Sequence, residues 1–228
     1  MEEEFKRLLN YRNNSSNLPS GTTSIVEHLS TLKELSSICN FVAEVGVEEI
    51  VSTFALAQGQ IENNSIKKKL WGYDIVDRSK HLRWLKLKEL CDNEGISLDF
   101  KLGDSIKAEL PKDNLDMLFL DGWHVYGQVI RELEYFSPKV DKIICFHDTT
   151  VDAEYGETIR AGWDAEEQSK ISGIPVNEIN KGIWPAITDF LENNKDWILY
   201  KRYHNNNGFT ILVKNDKDII DSLSKLSL

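Results

Sequence analysis

The chain has 228 residues, of which 41% are hydrophobic and 28% charged, and this is enough to bury one α/β core. Its formal charge of −10 is spread without a basic patch suited to a phosphate backbone, and no apolar run approaches the roughly 20 residues of a membrane span. We therefore expect neither nucleic acid nor a membrane as partner. Cys39, Cys91 and Cys145 are far apart, which predicts buried free thiols in a cytoplasmic protein.

Two helical patterns precede the first strand. Glu2–Tyr11 has the pattern of a short amphipathic helix, and Ser24–Ser37 repeats apolar residues near a 3.6-residue period. Residues 12–23 between them are rich in Asn, Ser, Pro and Gly and predict a loop. We predict an N-terminal helical cap at residues 1–39 and one domain at residues 40–228.

The following segments alternate between strand and helix patterns. The predicted strands are Asn40–Gly46, Leu70–Ile75, Ser97–Leu102, Leu115–Leu120 and Lys142–Phe146. The predicted helices include Glu49–Gln58, Ser79–Cys91 with Leu82, Leu85 and Leu90 towards the core, and one carrying Tyr126, Ile130 and Leu133. Lys67–Lys69 is interpreted as a solvated helix end. Five such β-α repeats predict an α/β fold with a Rossmann-like, doubly wound and mostly parallel sheet.

The alternation changes after Asp148. Residues 151–180 are acidic and irregular, and we expect a lid-like insertion, because connections of this length in a compact domain are usually functional. A helix at Gly182–Asn193 follows. Two β-like runs, Trp197–Tyr203 and Phe209–Val213, predict an antiparallel hairpin, and Asp216–Leu226 predicts a closing helix.

Ionisable residues follow two of the apolar strands. Asp121 and His124 come after the fourth strand, and His147 and Asp148 after the fifth. Carboxyl ends of parallel strands meet at one edge, where open α/β sheets bind ligands. Two carboxylates there could share a divalent cation such as Mg²⁺ and lower the pKa of a substrate hydroxyl, while His124 takes its proton. The alternative is that these residues have structural roles only: Asp121-Gly122 forms a turn, His124 caps the following helix, and His147-Asp148 ends a strand.

Three segments carry a family resemblance: LDMLFLDGWHVY, IICFHDTT and NNNGFTILV. With the element order they resemble class I S-adenosylmethionine-dependent methyltransferases, in particular the metal-dependent, macrocin O-methyltransferase-like group that acts on sugars and natural products. The resemblance covers residues 41–214. It implies a seven-stranded sheet with an antiparallel last strand, S-adenosylmethionine as cofactor, and a hydroxyl of a sugar, glycan or glycosylated small molecule as acceptor.

The resemblance also implies roles for the residues at the strand ends. Asp121 and Asp148 would bind the metal, and His124 would be the general base. Several relatives have an acid where this chain has His147, so His147 would either complete the metal site or support it from behind. Independently of the resemblance, Trp123 and Tyr126 flank His124 and could wall the acceptor pocket.

The implied cofactor site begins at Glu44-Val45-Gly46, which resembles the start of the family's cofactor loop. The family has two further glycines before a Ser-Thr pair, whereas this chain has Ile50 and Val51 before Ser52-Thr53.

Further along the chain, Asp74 would accept hydrogen bonds from the ribose hydroxyls, and Asp104-Ser105 would lie near the adenine. Asp121 would also contact the cofactor.

Because two glycines are missing, a second hypothesis stays open. It is a catalytically silent member of the fold that binds a nucleotide-like ligand or a partner. A dehydrogenase is a poorer third option, since no G-x-G-x-x-G follows a strand. A homo-oligomer is possible.

Overall fold

The computed structural model describes Glu3 and residues 24–228. The predicted helix at Glu2–Tyr11 thus lies outside the described residues except for Glu3. The described strands are β1 (Phe41–Val45), β2 (Lys68–Asp74), β3 (Ile96–Leu102), β4 (Leu115–Leu120), β5 (Val140–His147), β6 (Trp197–Tyr203) and β7 (Phe209–Lys214). The described α-helices are α1 (Leu29–Ser37), α2 (Val51–Glu62), α3 (Leu82–Asn93), α4 (Tyr126–Phe136), α5 (Glu157–Ala161), α6 (Ala165–Ser172), α7 (Val176–Asn180), α8 (Ile183–Asn193) and α9 (Lys217–Leu223).

The strands form one seven-stranded sheet in the order β3-β2-β1-β4-β5-β7-β6. The first five are parallel, and β7 runs antiparallel to both β5 and β6. This confirms the predicted fold class, including the antiparallel C-terminal hairpin. Val45 pairs with Leu120, which pairs with Phe146, so β1, β4 and β5 end side by side where the strand order reverses.

Helices cover both faces of the sheet, and each face has its own apolar layer. Val42, Met117 and Phe119 point into a layer with α1, α2 and α3. Ala43 and Leu118 point into the opposite layer with α4 and α8. All five residues of β1 are buried, as expected for a parallel strand covered on both sides.

Two predictions of local structure were wrong. Residues 103–114 contain turns and no helix, so the connection from β3 to β4 breaks the predicted series of five β-α repeats. The segment is short and contains Gly103 and Pro111, which disfavour a helix. Lys68 and Lys69 begin β2 instead of ending a helix, because parallel pairing with Ile96 and Ser97 extends the strand backwards.

The buried face of α3 also differs from the prediction. Trp84, Leu87 and Cys91 are buried, whereas Leu82 and Leu85 are 81% and 51% exposed; Leu90 is partly buried against the core, as predicted. The helix begins at Leu82, after His81 caps it by accepting from the Arg83 amide, and not at Ser79. Both apolar sets have helical spacing, so periodicity did not distinguish them, and packing of Trp84 against β3 selects the observed face.

The segment at residues 151–180 folds into α5, α6 and α7. Ile174 and Ile179 pack on Val125, just before α4, and form a small separate apolar cluster. A single β-bridge between Tyr155 and Lys181 closes the base of the insertion. Among the described residues, we find no helix that is long and apolar enough to cross a membrane.

Candidate active site

A cavity of about 1180 Å³ opens at the carboxyl edge of the sheet. Its lining comes from the loop after β1, the ends of β2, β4 and β5, and helices α5 and α6 of the insertion. Acidic side chains predominate in this lining, and Arg78, Lys107 and Arg160 are its basic ones. Such a lining favours cationic over anionic ligands.

Gly46 lies where the end of β1 contacts the end of β4. It has a φ of +86°, and a Cβ atom there would lie 2.0 Å from the carbonyl oxygen of Asp121. A side chain is excluded by both the backbone conformation and the space. The amide of Asp121 donates to the carbonyl of Val45 at 2.8 Å, so the loop after β1 and the end of β4 form one unit.

The loop after Gly46 keeps a glycine-like backbone without the glycines. Ile50 has a φ of +64°, a left-handed conformation that costs a β-branched residue about 1–3 kcal/mol. Its side chain is fully buried in the core, which offsets this strain. Val51 is the first residue of α2 and needs no special conformation. Ile50, at one of the two positions where glycine was expected, thus has a backbone conformation that glycine adopts most easily.

Glu44 lies behind this loop and does not line the cavity. Its carboxyl group accepts hydrogen bonds from the hydroxyls of Ser52 and Thr53, the latter at 2.6 Å. Burial raises the pKa of Glu44 to about 8, although the two hydroxyl donors oppose the shift. Of the predicted cofactor residues in this region, Gly46 and Ser52 line the cavity, and Glu44 holds Ser52 in place.

Asp74, at the end of β2, lines the cavity and also organises the loop. One carboxylate oxygen accepts from the amides of Val47 and Glu48 at 3.2 and 2.9 Å, and the other accepts from the amide of Val76 at 2.8 Å. These bonds hold the loop against the end of the neighbouring strand.

Ser105 lines the cavity and belongs to a buried polar cluster. The other members, Gln128 and Glu132 of α4, were not predicted from the sequence. The hydroxyl of Ser105 donates to Glu132 at 2.5 Å, and the Gln128 amide donates to both. Burial raises the pKa of Glu132 to about 7, against the effect of these donors. Asp104 also lines the cavity and pairs with Lys107 at 3.0 Å. Gln128 and Glu132 are one helical turn apart on the apolar face of α4, which was the available signal.

His124 lies among four carboxylates. Its Nε2 atom is 3.3 Å from Asp121, and its Nδ1 atom is 3.1 Å from Asp148 and 3.5 Å from both Asp152 and Glu157. None of these ring contacts has hydrogen-bond geometry, so both buried ring nitrogens lack a hydrogen-bond partner. Burial alone would lower the pKa of His124, but Asp121, Glu157 and Asp148 outweigh it and raise the pKa well above its usual value.

His147 lines the same cavity, and only one of its ring nitrogens is turned away from this group. Its Nδ1 atom is 3.1 Å from Asp121, and its Nε2 atom is 2.9 and 3.2 Å from the carbonyl oxygens of Ser24 and Asn206. The two carbonyl oxygens can only accept, so Nε2 donates to them, while Nδ1 faces the carboxylate of Asp121. Burial would lower the pKa of His147, but the charge of Asp121 and its contact raise it. His147 thus contacts Asp121 and Asp148 through one ring nitrogen and is anchored on the backbone through the other.

The residues fit a divalent cation. Asp121, His124 and Asp148 each offer a ligand atom, and these atoms lie within 4.8 Å of one another. The Oδ1 atom of Asp148 and both His124 ring nitrogens are buried without a hydrogen-bond partner, which a native site rarely leaves uncompensated. Asp148 leaves β5 with a φ of +57°, a conformation that Asp tolerates. Asp121, His124 and Asp148 thus form a group of possible ligands, and the Nδ1 atom of His147 lies 3.1 and 3.4 Å from the same two carboxylates.

The insertion adds residues that the sequence did not reveal. Asp152 is fully buried and accepts from Arg160 at 2.6 and 2.9 Å. Glu157 lines the cavity and accepts from the backbone amide of His124 at 3.3 Å. The indole of Trp123 donates to Thr158 at 3.2 Å. Asp152 is only four residues after Asp148, and its amide donates to the Asp148 carbonyl at 3.0 Å, but no motif marked the acids of the insertion in the sequence.

The sequence matches no protein-family model, and no curated protein matches it. Solved structures share its fold. An O-methyltransferase from Bacillus cereus in complex with S-adenosylhomocysteine is 15% identical, with 93% of this chain and 90% of that chain covered and a TM-score of 0.54.

Two other solved structures are similar. The O-methyltransferase of tomaymycin synthesis from Streptomyces achromogenes, in complex with S-adenosylmethionine, is 11% identical (95% and 91% covered, TM-score 0.55). A TDP-rhamnose 3'-O-methyltransferase of calicheamicin biosynthesis is 14% identical (94% of each chain covered, TM-score 0.55). At these identities the likeness is one of fold: this chain has the Rossmann-like fold of S-adenosylmethionine-dependent O-methyltransferases.

Proposed function

We propose that this protein is an S-adenosylmethionine-dependent, divalent-metal-assisted O-methyltransferase. The observation that carries the proposal is a single cavity whose lining includes both the loop after Gly46 and the group of Asp121, His124 and Asp148. A methyl transfer needs donor and acceptor aligned in one place, and proximity supplies much of the rate.

The donor would bind on the side of β1 and β2. The loop after Gly46 would face its methionine part, Asp74 would accept from the ribose hydroxyls, and Ser105 would lie near the base. S-adenosylmethionine supplies a methyl group on a positively charged sulfur. The acid-rich lining suits that charge better than the phosphates of a nucleotide, which argues against the silent, nucleotide-binding alternative.

The acceptor hydroxyl would be activated on the side of β4 and β5. Asp121 and Asp148 would hold the cation, for which we propose Mg²⁺ because carboxylate oxygens are its preferred ligands. When bound, the cation acts as a Lewis acid that lowers the pKa of the hydroxyl. His124, which lies 3.3 Å from Asp121 and 3.1 Å from Asp148, would take the proton.

We propose a hydroxyl of a sugar, glycan or glycosylated small molecule as acceptor. Trp163 and Ile171 of the insertion line the cavity, and both are exposed, at 49% and 78%. An aromatic ring and an apolar side chain suit the C–H face of a sugar ring. One protein of the same fold acts on TDP-rhamnose, which supports the same acceptor class here.

Thermal unfolding with S-adenosylmethionine and with S-adenosylhomocysteine, each with and without Mg²⁺, tests the proposal. A ligand that binds only the native state raises the melting temperature. We expect both cofactor forms to raise it, and Asp148→Ala to remove the Mg²⁺ effect while keeping the cofactor effect. Absence of a shift with either cofactor form would favour the silent alternative. Equal methyl transfer in excess chelator would exclude the metal role.

A further inference from the structure

The candidate cation site has one carboxylate more than the strand ends provide. Glu157 belongs to the insertion, yet its Oε2 atom is 3.5 Å from the same His124 nitrogen that lies 3.1 Å from Asp148. A carboxylate of the strand end and one of the insertion, nine residues further along the chain, therefore converge on one point of the cavity wall. The carboxylates of Asp148 and Glu157 are both negatively charged, and a cation between or beside them would offset their repulsion.

Asp152 and Glu157 are both 3.5 Å from His124 but differ in availability. Both oxygens of Asp152 accept short hydrogen bonds from Arg160, and Asp152 does not line the cavity. Glu157 lines the cavity, its side chain is 20% exposed, and Arg160 comes only within 3.5 Å of its other oxygen. Glu157 is thus the carboxylate of the insertion that can bind a cation in the cavity.

A hard divalent cation takes more oxygen ligands than Asp121 and Asp148 provide. The Nε2 atom of His147 donates to the carbonyl oxygens of Ser24 and Asn206, so only its Nδ1 atom faces the two carboxylates, at 3.1 Å from Asp121 and 3.4 Å from Asp148. Asp121 and Asp148 alone would give the cation two carboxylates. A third one would complete an all-oxygen set of protein ligands and leave His124 available as the base.

Resting on the proposed function, we propose that Glu157 binds the catalytic cation and thereby fixes the insertion over the cavity. A second observation points to a ligand at this place: the side chains of His124 and Asp148 are nine-tenths buried, and three of their polar atoms have no hydrogen-bond partner. Glu157 lies outside the group whose ligand atoms are within 4.8 Å of one another, so its side chain moves towards Asp148 when the cation binds.

Calorimetric titration with Mn²⁺, which prefers the same oxygen ligands as Mg²⁺, tests this without any acceptor. We expect Glu157→Gln to weaken Mn²⁺ binding at least about tenfold. Glu154→Gln is the matched control, because Glu154 is an exposed acid of the same insertion outside the cavity lining, and it should bind Mn²⁺ like the wild type. Glu157→Asp keeps the carboxylate and should recover part of the affinity.

Hydrogen exchange provides a second readout. Mn²⁺ should slow exchange of the backbone amides in residues 157–172 of the wild type and of Glu154→Gln, but not of Glu157→Gln. If Glu157→Gln binds Mn²⁺ with wild-type affinity while Asp121→Asn abolishes binding, the role of Glu157 is wrong and the proposed function is unaffected. If the wild type binds no Mn²⁺, the metal dependence in the proposed function fails as well.

Discussion

The cavity has a proposed donor side, at the ends of β1 and β2, and a proposed acceptor side, at the ends of β4 and β5. The carboxyl groups at or behind these two sides have opposite electrostatic surroundings. On the donor side, Glu44 and Glu132 form hydrogen bonds only with neutral hydroxyl and amide groups, and burial raises their pKa values to about 8 and about 7. On the acceptor side, burial would also raise the pKa of Asp121, but the imidazoles of His147 and His124 outweigh it and hold the pKa below its usual value. The neighbours of a buried carboxyl group, and not burial alone, decide its charge.

The two sides also differ in how well their polar groups are satisfied. The donor side forms its own bonds: Asp74 accepts from three backbone amides, and Ser52 and Thr53 donate to Glu44. On the acceptor side, buried atoms of His124 and Asp148 have no hydrogen-bond partner. We infer that the donor side is preorganised, whereas the acceptor side is completed by its ligand.

The largest effect is expected where the two sides meet, at Gly46. Gly46→Ala should lower the free energy of unfolding by about 3–5 kcal/mol, because the new Cβ atom would collide with the Asp121 carbonyl. Urea unfolding measures the change. Gly95→Ala is the control: Gly95 also has a positive φ, of +69°, but has open space around it, so the cost should be about 1–2 kcal/mol. Equal losses in the two variants would show that the contact with Asp121 is unimportant.

Completing the acceptor side with a cation should give the next largest effect. At a free Mg²⁺ concentration one hundred times the dissociation constant, native-state binding should add about 2.7 kcal/mol, or roughly 5–10 °C in melting temperature. Differential scanning calorimetry measures this gain. Asp148→Asn, which keeps the shape of the side chain but removes its charge, should abolish it. A similar gain in that variant would place the cation elsewhere.

A buried carboxyl group on the donor side should make stability depend on pH. Because the folded pKa of Glu132 is raised to about 7, its contribution to stability is complete below the unfolded pKa, near 4.5, and is lost as the pH rises through 7. Relative to the wild type, Glu132→Gln should gain about 2–3 kcal/mol between pH 5 and pH 8. Urea unfolding at both values measures this. Glu134→Gln, in the exposed part of the same helix, should show no such change.

The smallest effect on stability is expected in the insertion. Trp163 is half exposed, so Trp163→Ala should change the free energy of unfolding by no more than about 0.5 kcal/mol. Its effect should appear in the KM of the acceptor, because the indole lines the cavity. Chemical unfolding and acceptor kinetics separate the two. A large loss of stability would mean that Trp163 is part of the packing and not of a binding surface.

Much of the framework was predictable from local patterns. The strand at Leu115–Leu120 was predicted with its observed bounds, since a continuous apolar run ending at a polar cluster has few other solutions. The face of α3 was predicted wrongly because two sets of residues share helical spacing, and the contact of Trp84 with Phe100 of the edge strand β3 decided between them.

The candidate site was predictable only in part. Asp121, His124, His147 and Asp148 follow two apolar runs, so the rule that parallel strands end at one edge was enough to propose their proximity. Their detailed arrangement was not predictable: both histidines contact the two carboxylates, and the direction of the His147 ring is set by the hairpin loop at Asn206 and the chain at Ser24.

The sequence by itself determined the alternation of strands and helices, the parallel sheet with its antiparallel hairpin, and the sheet edge that holds the ionisable residues. Those features follow from periodicity and chain direction, which are local properties. Only the tertiary structure decided that Ile50 takes a glycine-like conformation, that Glu132 lines the cavity, and that Glu157 reaches the group around His124. These contacts join residues whose distance in space is set by the packing of the whole domain and leaves no trace in their spacing along the chain.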